Sequence, residues 1–235
     1  MFERAHHQYI AQVLGLLDSD LLKTHHCYFG GGTAIALKYG EYRESVDIDF
    51  LVSDIAHYRQ LRLLLSGRDG INAILKPDQQ LISQTRDIRA DQYGIRTTLA
   101  IADHVIKFEI VLEGRIHLEL PGAADQICNV SILTNLDMAA SKLLANSDRW
   151  ADSGVFNRDV IDLAMMQPST KLLRLAIAKA EEAYGAAIQR DLLKAIVHLQ
   201  EKEGWLDRCM QAMSVSVPKA VLWQHIKALK RCCTV

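Results

Sequence analysis

The chain has 235 residues, 49% of them hydrophobic and 23% charged, with 27 basic against 28 acidic side chains and a formal net charge of −1. This is globular composition, which excludes a disordered chain and suffices for one large domain or two small ones. The near-zero balance excludes a uniformly basic nucleic-acid binder. It sums two unlike parts, however: residues 1–130 carry 13 basic and 17 acidic side chains, whereas residues 131–235 carry 14 and 11.

Taken in chain order, apolar residues at helical spacing (Ile10, Val13, Leu14, Leu17) predict an amphipathic helix over 2–17. A short strand over 25–29 runs into Gly30-Gly31-Gly32, with Thr33 as N-cap of a helix over 34–39. Charged and apolar residues alternate over 46–52, as in a half-buried strand, and Asp54 caps a helix over 55–65. Residues 71–119 read as strands and turns, most clearly a hairpin of 95–101 and 105–112 joined at Ala102-Asp103-His104. From Asn135 onward the pattern is helical, over 136–145, 158–166, 170–184, 187–200, 205–213 and 219–230, with Pro168 and Pro218 between helices. The expected fold class is α+β: a small mixed sheet with flanking helices over 1–130, then a helical domain over 131–235.

No run approaches the ~18 consecutive apolar residues of a membrane span, so no membrane partner is expected, and the N-terminus lacks a signal-peptide layout. Cys27, Cys128, Cys209, Cys232 and Cys233 are odd in number, irregularly spaced and form no Cys-x-x-Cys pair. Free thiols in a reducing cytoplasm are expected.

The chemistry centres on Asp47-Ile48-Asp49. On a strand, residues two apart face the same way, so both carboxylates would project together while Ile48 and Phe50 enter the core. Paired hard oxygen donors suit Mg²⁺. The pattern alone is weak, because 18 aspartates give about 1.4 Asp-x-Asp matches by chance. Asp18-Ser19-Asp20 is a second match and reads as a helix-end turn. The glycine turn upstream adds weight, since glycines admit a triphosphate closely and a helix N-terminus offers free N–H groups. It is neither a Walker A loop nor a Rossmann fingerprint. A third acid is Glu109 within Val105–Val111. A carboxylate in so apolar a strand must sit at a cleft, engage a metal, or pair with Lys107 or with a basic residue on a neighbouring strand.

The order Gly31-Gly32-Thr33-Ala34, then Arg43-x-Ser45-x-Asp47-Ile48-Asp49-Phe50, resembles the nucleotidyltransferase toxins of the AbiEii/AbiGii type. These belong to the DNA polymerase beta-like nucleotidyltransferase superfamily. Ser141-Lys142-Leu143-Leu144-Ala145-Asn146, Asp148-Arg149 and Arg158-Asp159-Val160-Ile161-Asp162-Leu163 continue the resemblance over residues 28–165. Eight residues separate Arg149 from Arg158, somewhat more than the commonest family spacing. Read without the family, Lys142 snorkels from an apolar helix and Asp159/Asp162 form a surface salt-bridge face. With it, Lys142 and Asp159 line the nucleotide cleft and Asp162 orients Arg158.

The resemblance implies a cytoplasmic bacterial toxin that moves an NMP from an NTP to an acceptor hydroxyl, with a cognate antitoxin as partner. The acceptor implied is RNA, at the 3′ end of tRNA. Asp47, Asp49 and Glu109 would hold two Mg²⁺ ions, with Glu109 the nearest base. Gly31, Gly32, Thr33, Ser45, Lys142 and Arg149 would bind the nucleotide, and the helical domain would close the cleft. The chain from Pro168 onward, with 11 basic and 6 acidic residues, is where a phosphate-bearing acceptor could rest. Other readings are a small-molecule or protein acceptor, and a non-catalytic nucleotide- or protein-binding module.

Overall fold

The computed structural model describes residues 2–77 and 81–233. By contact, the chain forms two units: residues 1–38 with 45–134, and residues 39–44 with 135–235.

The first unit is built on a mixed sheet. Its strands are β1 (Tyr28–Phe29), β2 (Ile48–Val52), β3 (Ile82–Gln84), β4 (Arg89–Ala90), β5 (Gly94–Ile101) and β6 (His104–Leu112). They run in the order β1-β2-β6-β5-β3, with β4 also paired to β5. Only β2 and β6 are parallel; the other pairs are antiparallel. The hairpin expected from the sequence is β5–β6, turned at Ala102, whose φ is +49°. Helices α1 (Ala5–Leu16), α2 (Ser19–Thr24), α3 (Gly31–Lys38) and α4 (Ile55–Leu65) flank the sheet, and β7 (Gln126–Ile127) pairs with β8 (Val130–Ser131). As the alternation predicts, Ile48, Phe50 and Val52 are fully buried while Asp49 is half-buried. The rings of Phe29, Phe50 and Phe108 form a row across β1, β2 and β6, each 5.6 Å from the next.

Two local expectations need correction. Asp18 follows the end of α1 at Leu16, as expected, but also opens a helix that the sequence did not predict. Its Oδ1 accepts from Leu21 N at 2.9 Å and caps α2, and strand β1 holds only Tyr28–Phe29, not 25–27. Thr33 is not an N-cap, because α3 already begins at Gly31 and Gly30 O accepts the first helical bond, from Ala34 N at 3.3 Å. Asp54 caps α4 as expected, accepting from Ala56 N at 2.7 Å and His57 N at 2.9 Å.

The second unit consists of α5 (Asn135–Arg149), α6 (Arg158–Met165), α7 (Thr170–Tyr184), α8 (Ala187–Glu201), α9 (Trp205–Ala212) and α10 (Lys219–Leu229), with residues 39–44. Helix α5 packs against α6, α7 and α8, and Lys179 on α7 pairs with the fully buried Asp137 on α5. The segment 39–44 is pinned by Glu44 N to Met213 O at 3.0 Å and Ser216 N to Tyr42 O at 2.8 Å. All five cysteines are free thiols, and burial pushes Cys209 up to about 12. Among the described residues no helix is long and apolar enough to cross a membrane.

Removing the central ring of the row should cost stability heavily. Phe50→Ala is expected to lower the unfolding free energy by about 3–5 kcal/mol, read from the urea midpoint at unchanged slope. A loss under ~1 kcal/mol would show that the ring row does not carry this core.

Candidate active site

The parallel pairing of β2 and β6 sets Asp49 directly beside Glu109. Register then continues across the antiparallel strands, Glu109 beside Arg96 on β5 and Arg96 beside Arg89 on β4. Residues opposite one another share a face, so one row reads acid, acid, base, base across four strands. Glu109 is buried and both its oxygens are engaged, Oε1 by Arg96 Nε at 2.6 Å and Oε2 by Lys107 Nζ at 2.8 Å. Of the environments open to Glu109 from the sequence, pairing with both Lys107 and a neighbouring strand's base is the one the structure displays. Burial pulls the Lys107 ammonium down, but the Glu109 hydrogen bond and the charges of Glu109, Asp49 and Asp47 outweigh it and leave it raised.

The glycine turn comes against this row. Gly30 N donates to Asp49 O at 2.8 Å, which ties the start of α3 to β2. Gly31 has a φ of +67°, and a Cβ there would lie 2.6 Å from Asp49 Oδ2. Only glycine combines that conformation with so close a carboxylate. Thr33 Oγ1 and Ser45 Oγ are 2.8 Å apart, and Ser45 N donates to His7 Nε2 at 3.2 Å. Gly31, Gly32, Thr33, Ser45 and Asp49 are thus assembled around the first turn of one helix.

The donor types suit a hard divalent ion: two carboxylates stand side by side on adjacent strands, and Lys107, which lies 2.8 Å from Glu109, is raised also by the charges of Asp49 and Asp47. Among the described residues no three His, Cys, Asp or Glu side chains are already disposed as a complete metal set. Asp49 stands on β2 beside Glu109, Asp47 precedes that strand, which begins at Ile48, and Glu109 would join a metal only by exchanging its present cationic partners.

The helical unit contains a second charged cluster, centred on Asp162. Its Oδ1 accepts from Tyr42 Oη and Arg43 Nε, each at 2.6 Å, and its Oδ2 lies 3.0 Å from Arg43 Nη2 and 2.7 Å from Lys142 Nζ. Burial alone would raise this carboxyl, but Arg43 and Lys142 hold it well below the usual carboxylate range. Lys142 Nζ also lies 3.0 Å from Asp159 Oδ1, and Arg149 clamps Asp159 through Nε at 2.7 Å and Nη2 at 3.0 Å. Burial pushes Asp159 up too, and Lys142 and Arg149 bring it down. Asp162 therefore orients Arg43; Arg158, the partner expected from helical spacing, is exposed. Arg149 is the member nearest water, with a third of its side chain accessible. The approach to α6 is strained: Phe156 and Asn157 have φ of +53° and +47°, held by Asn157 Nδ2 to Trp150 O at 3.0 Å and Trp205 Nε1 to Asn157 Oδ1 at 2.7 Å.

Sequence reasoning assigned no role to Arg43, Tyr42 or Arg96. Arg43 and Tyr42 find Asp162 some 120 positions away, a separation no local pattern reports. Arg96 was visible only as one basic residue in a strand.

The chain, with acids on adjacent strands beside a glycine-led helix and a helical unit holding a lysine–arginine–aspartate cluster, matches the nucleotidyltransferase class. The family described as nucleotidyl transferase AbiEii toxin, type IV toxin–antitoxin system, matches residues 15–227, and the chain belongs to it. That family implies a nucleotide substrate and an antitoxin partner. No curated protein matches the chain. The fold is similar to that of a candidate nucleotidyltransferase from H. pylori, 17% identical, with TM-score 0.50, 96% of this chain and 93% of that one covered. It is equally similar to JHP933 from Helicobacter pylori, 17% identical, with TM-score 0.51 and coverages of 98% and 94%. At that identity the likeness concerns the fold.

Replacing Asp162 by Asn leaves Arg43 and Lys142 without their shared anion, which should cost about 3–5 kcal/mol at pH 7. The native state keeps Asp159 and Asp162 ionised below the unfolded value of about 3.9, so under that pH the unfolded chain binds more protons and stability falls. Asp162→Asn should flatten this acid slope in urea titrations stepped below pH ~4; an unaltered slope would show that the cluster is not linked to folding. Gly31→Ala should cost about 1–2 kcal/mol from its φ alone. Combined with Asp49→Ala, which removes the clashing carboxylate, the loss should be less than additive in a double-mutant cycle.

Proposed function

We propose that this protein is a Mg²⁺-dependent nucleotidyltransferase that moves an NMP from an NTP to a hydroxyl of RNA, at the 3′ end of tRNA, and acts as the toxin restrained by its antitoxin. The observation that carries this reading is the seating of Asp49 between Gly31 and Glu109, which puts a carboxylate pair at a helix N-terminus fit for a triphosphate. Asp47, Asp49 and Glu109 would hold the metal, two ions in all, which when bound offsets triphosphate charge and makes the acceptor hydroxyl more acidic.

The acceptor oxygen forms its bond to the α-phosphorus as the α–β phosphoanhydride bond breaks, and pyrophosphate departs with the electron pair. The hydroxyl proton passes to Glu109, the base beside Asp49. First-turn N–H groups of Gly31, Gly32 and Thr33 face the phosphates, and Thr33 and Ser45 add hydroxyls. In the helical unit, Arg43, Lys142 and Arg149 carry three positive charges against the two negative charges of Asp159 and Asp162. That surplus suits phosphate, and Arg149 is the member that can present it. Asp159 positions both Lys142 and Arg149.

The test is incubation with each α-³²P-NTP, Mg²⁺ and total RNA, with Asp49→Ala alongside. Labelled RNA that disappears on chelation and in Asp49→Ala, with an unchanged circular dichroism spectrum, is the expected result. Label in protein or a small molecule would replace the acceptor. No label, with nucleotide binding by calorimetry that ignores Mg²⁺, would replace the enzyme by a binding module.

A further inference from the structure

The first unit contains a cavity of about 730 Å³ lined by Thr85, Arg86, Arg89, Arg96, Thr98 and Lys107, along with Asp87 and Thr97. Four cations and the carboxylate of Asp87 line it. Arg96 and Lys107 hold Glu109, but Arg86 and Arg89 are exposed and have no side-chain partner among the described residues. The loop that carries Arg86 is fixed rather than loose. Thr97 Oγ1 donates to Arg86 O at 2.6 Å, Thr85 N donates to Thr98 O at 2.9 Å, and the hydroxyls of Thr85 and Thr98 are 2.6 Å apart. Arg89 is set in register beside Arg96 by the β4–β5 pairing.

We infer that this cavity is the seat of the acceptor's phosphodiester backbone, with Arg86 and Arg89 each taking a phosphate of single-stranded RNA just upstream of the reacting 3′ hydroxyl. The inference rests on the RNA acceptor of the proposed function and adds where that RNA lies. Position across the sheet favours RNA over the NTP. The glycine turn adjoins β1 and β2, the acids stand on β2 and β6, and the unpaired arginines stand beyond β5 on the opposite side. In-line transfer needs the leaving pyrophosphate and the attacking hydroxyl on opposite sides of the α-phosphorus. A triphosphate at the glycine turn therefore leaves the arginine side to the acceptor. Planar guanidinium groups with no ion pair among the described residues, beside threonine hydroxyls, are the donors a phosphodiester calls for. Arg96 and Lys107 join this track to the acids at its end.

The experiment measures binding of a 5′-fluorescein single-stranded RNA ending in CCA by anisotropy, over a series of salt concentrations, without NTP or Mg²⁺. The wild-type chain should bind, and Arg86→Ala with Arg89→Ala should bind at least tenfold more weakly. The slope of log affinity against log salt should fall by about 1.4, at ~0.7 for each phosphate that an arginine no longer neutralises. Arg86→Lys with Arg89→Lys should keep most of that slope, and a fluorescent NTP analogue with Mg²⁺ should bind the alanine pair as it binds wild type. Unchanged RNA affinity in the alanine pair would overturn this inference while leaving the RNA acceptor standing. NTP binding abolished with RNA binding kept would give the cavity to the triphosphate and overturn it as well. A wild-type chain that binds no RNA would overturn both the inference and the acceptor on which it rests.

Discussion

A carboxylate taken out of water must meet a cation or lose its charge, and among the described residues six acids are buried in the two units. Glu109, Glu113, Asp137, Asp159, Asp162 and Asp191 are all sequestered, and each lies against a lysine or arginine. Desolvating either charge of such a pair costs several kcal/mol in rough terms, so the pairs constrain the fold more than they stabilise it. Asp162 shows this most clearly. Its anion draws Arg43 and Tyr42 into the helical unit and thereby pulls residues 39–44 out of the run of the first unit.

The same rule separates fixed charges from exchangeable ones. Arg43 and Lys142 are buried with Asp162, so neither can leave without stranding an ion. Glu109 is different: its partners Arg96 and Lys107 have 39% and 49% of their side chains exposed. Water can solvate either cation if a metal or a phosphate takes its place. An acid that is enclosed while its partners are accessible is suited to a reaction cycle, whereas an acid enclosed together with its partners is suited to holding a scaffold. Lys142 and Arg149 divide the two roles over Asp159, Lys142 buried and Arg149 partly in water.

Where a signal was local, the sequence carried it. Asp54 before 55–65 and Ser169 before 170–184 are side-chain caps, and the helices begin where those caps stand. The β5–β6 hairpin was legible because alternation and a short polar turn coincide. Asp18 was read only as the end of the first helix because a cap between two helices carries both signals. The strands β7 and β8 escaped, and β3 and β4 were placed only within the strand-and-turn stretch 71–119, because two or three residues become a strand only through a partner supplied by the rest of the chain. The site divides in the same way. Gly31, Ser45, Asp47 and Asp49 lie within 19 consecutive residues, and their association follows from one helix and one strand. The row from Asp49 to Arg89 depends on the register of four strands, and register is a property of the sheet, not of any segment.

That row also changes what the charge balance means. The excess of acid in residues 1–130 and of base beyond Pro168 directs attention to the C-terminal helices as a resting place for RNA. On α8, however, Arg190 and Lys194 are drawn to Asp191 on their own helix. Among the described residues, cations with no ion pair stand in both parts of the chain, and Arg86 and Arg89 are two of them in the acidic part. Their presence there is masked in the sum by the acids proposed to hold the metal. A catalyst of phosphoryl transfer must hold carboxylates for metal and cations for phosphate within a few strands of each other, so its local charges cancel in any count that spans both. Near-neutrality in such a chain is what opposed charges set side by side on one sheet produce, and it is compatible with a strongly anionic substrate.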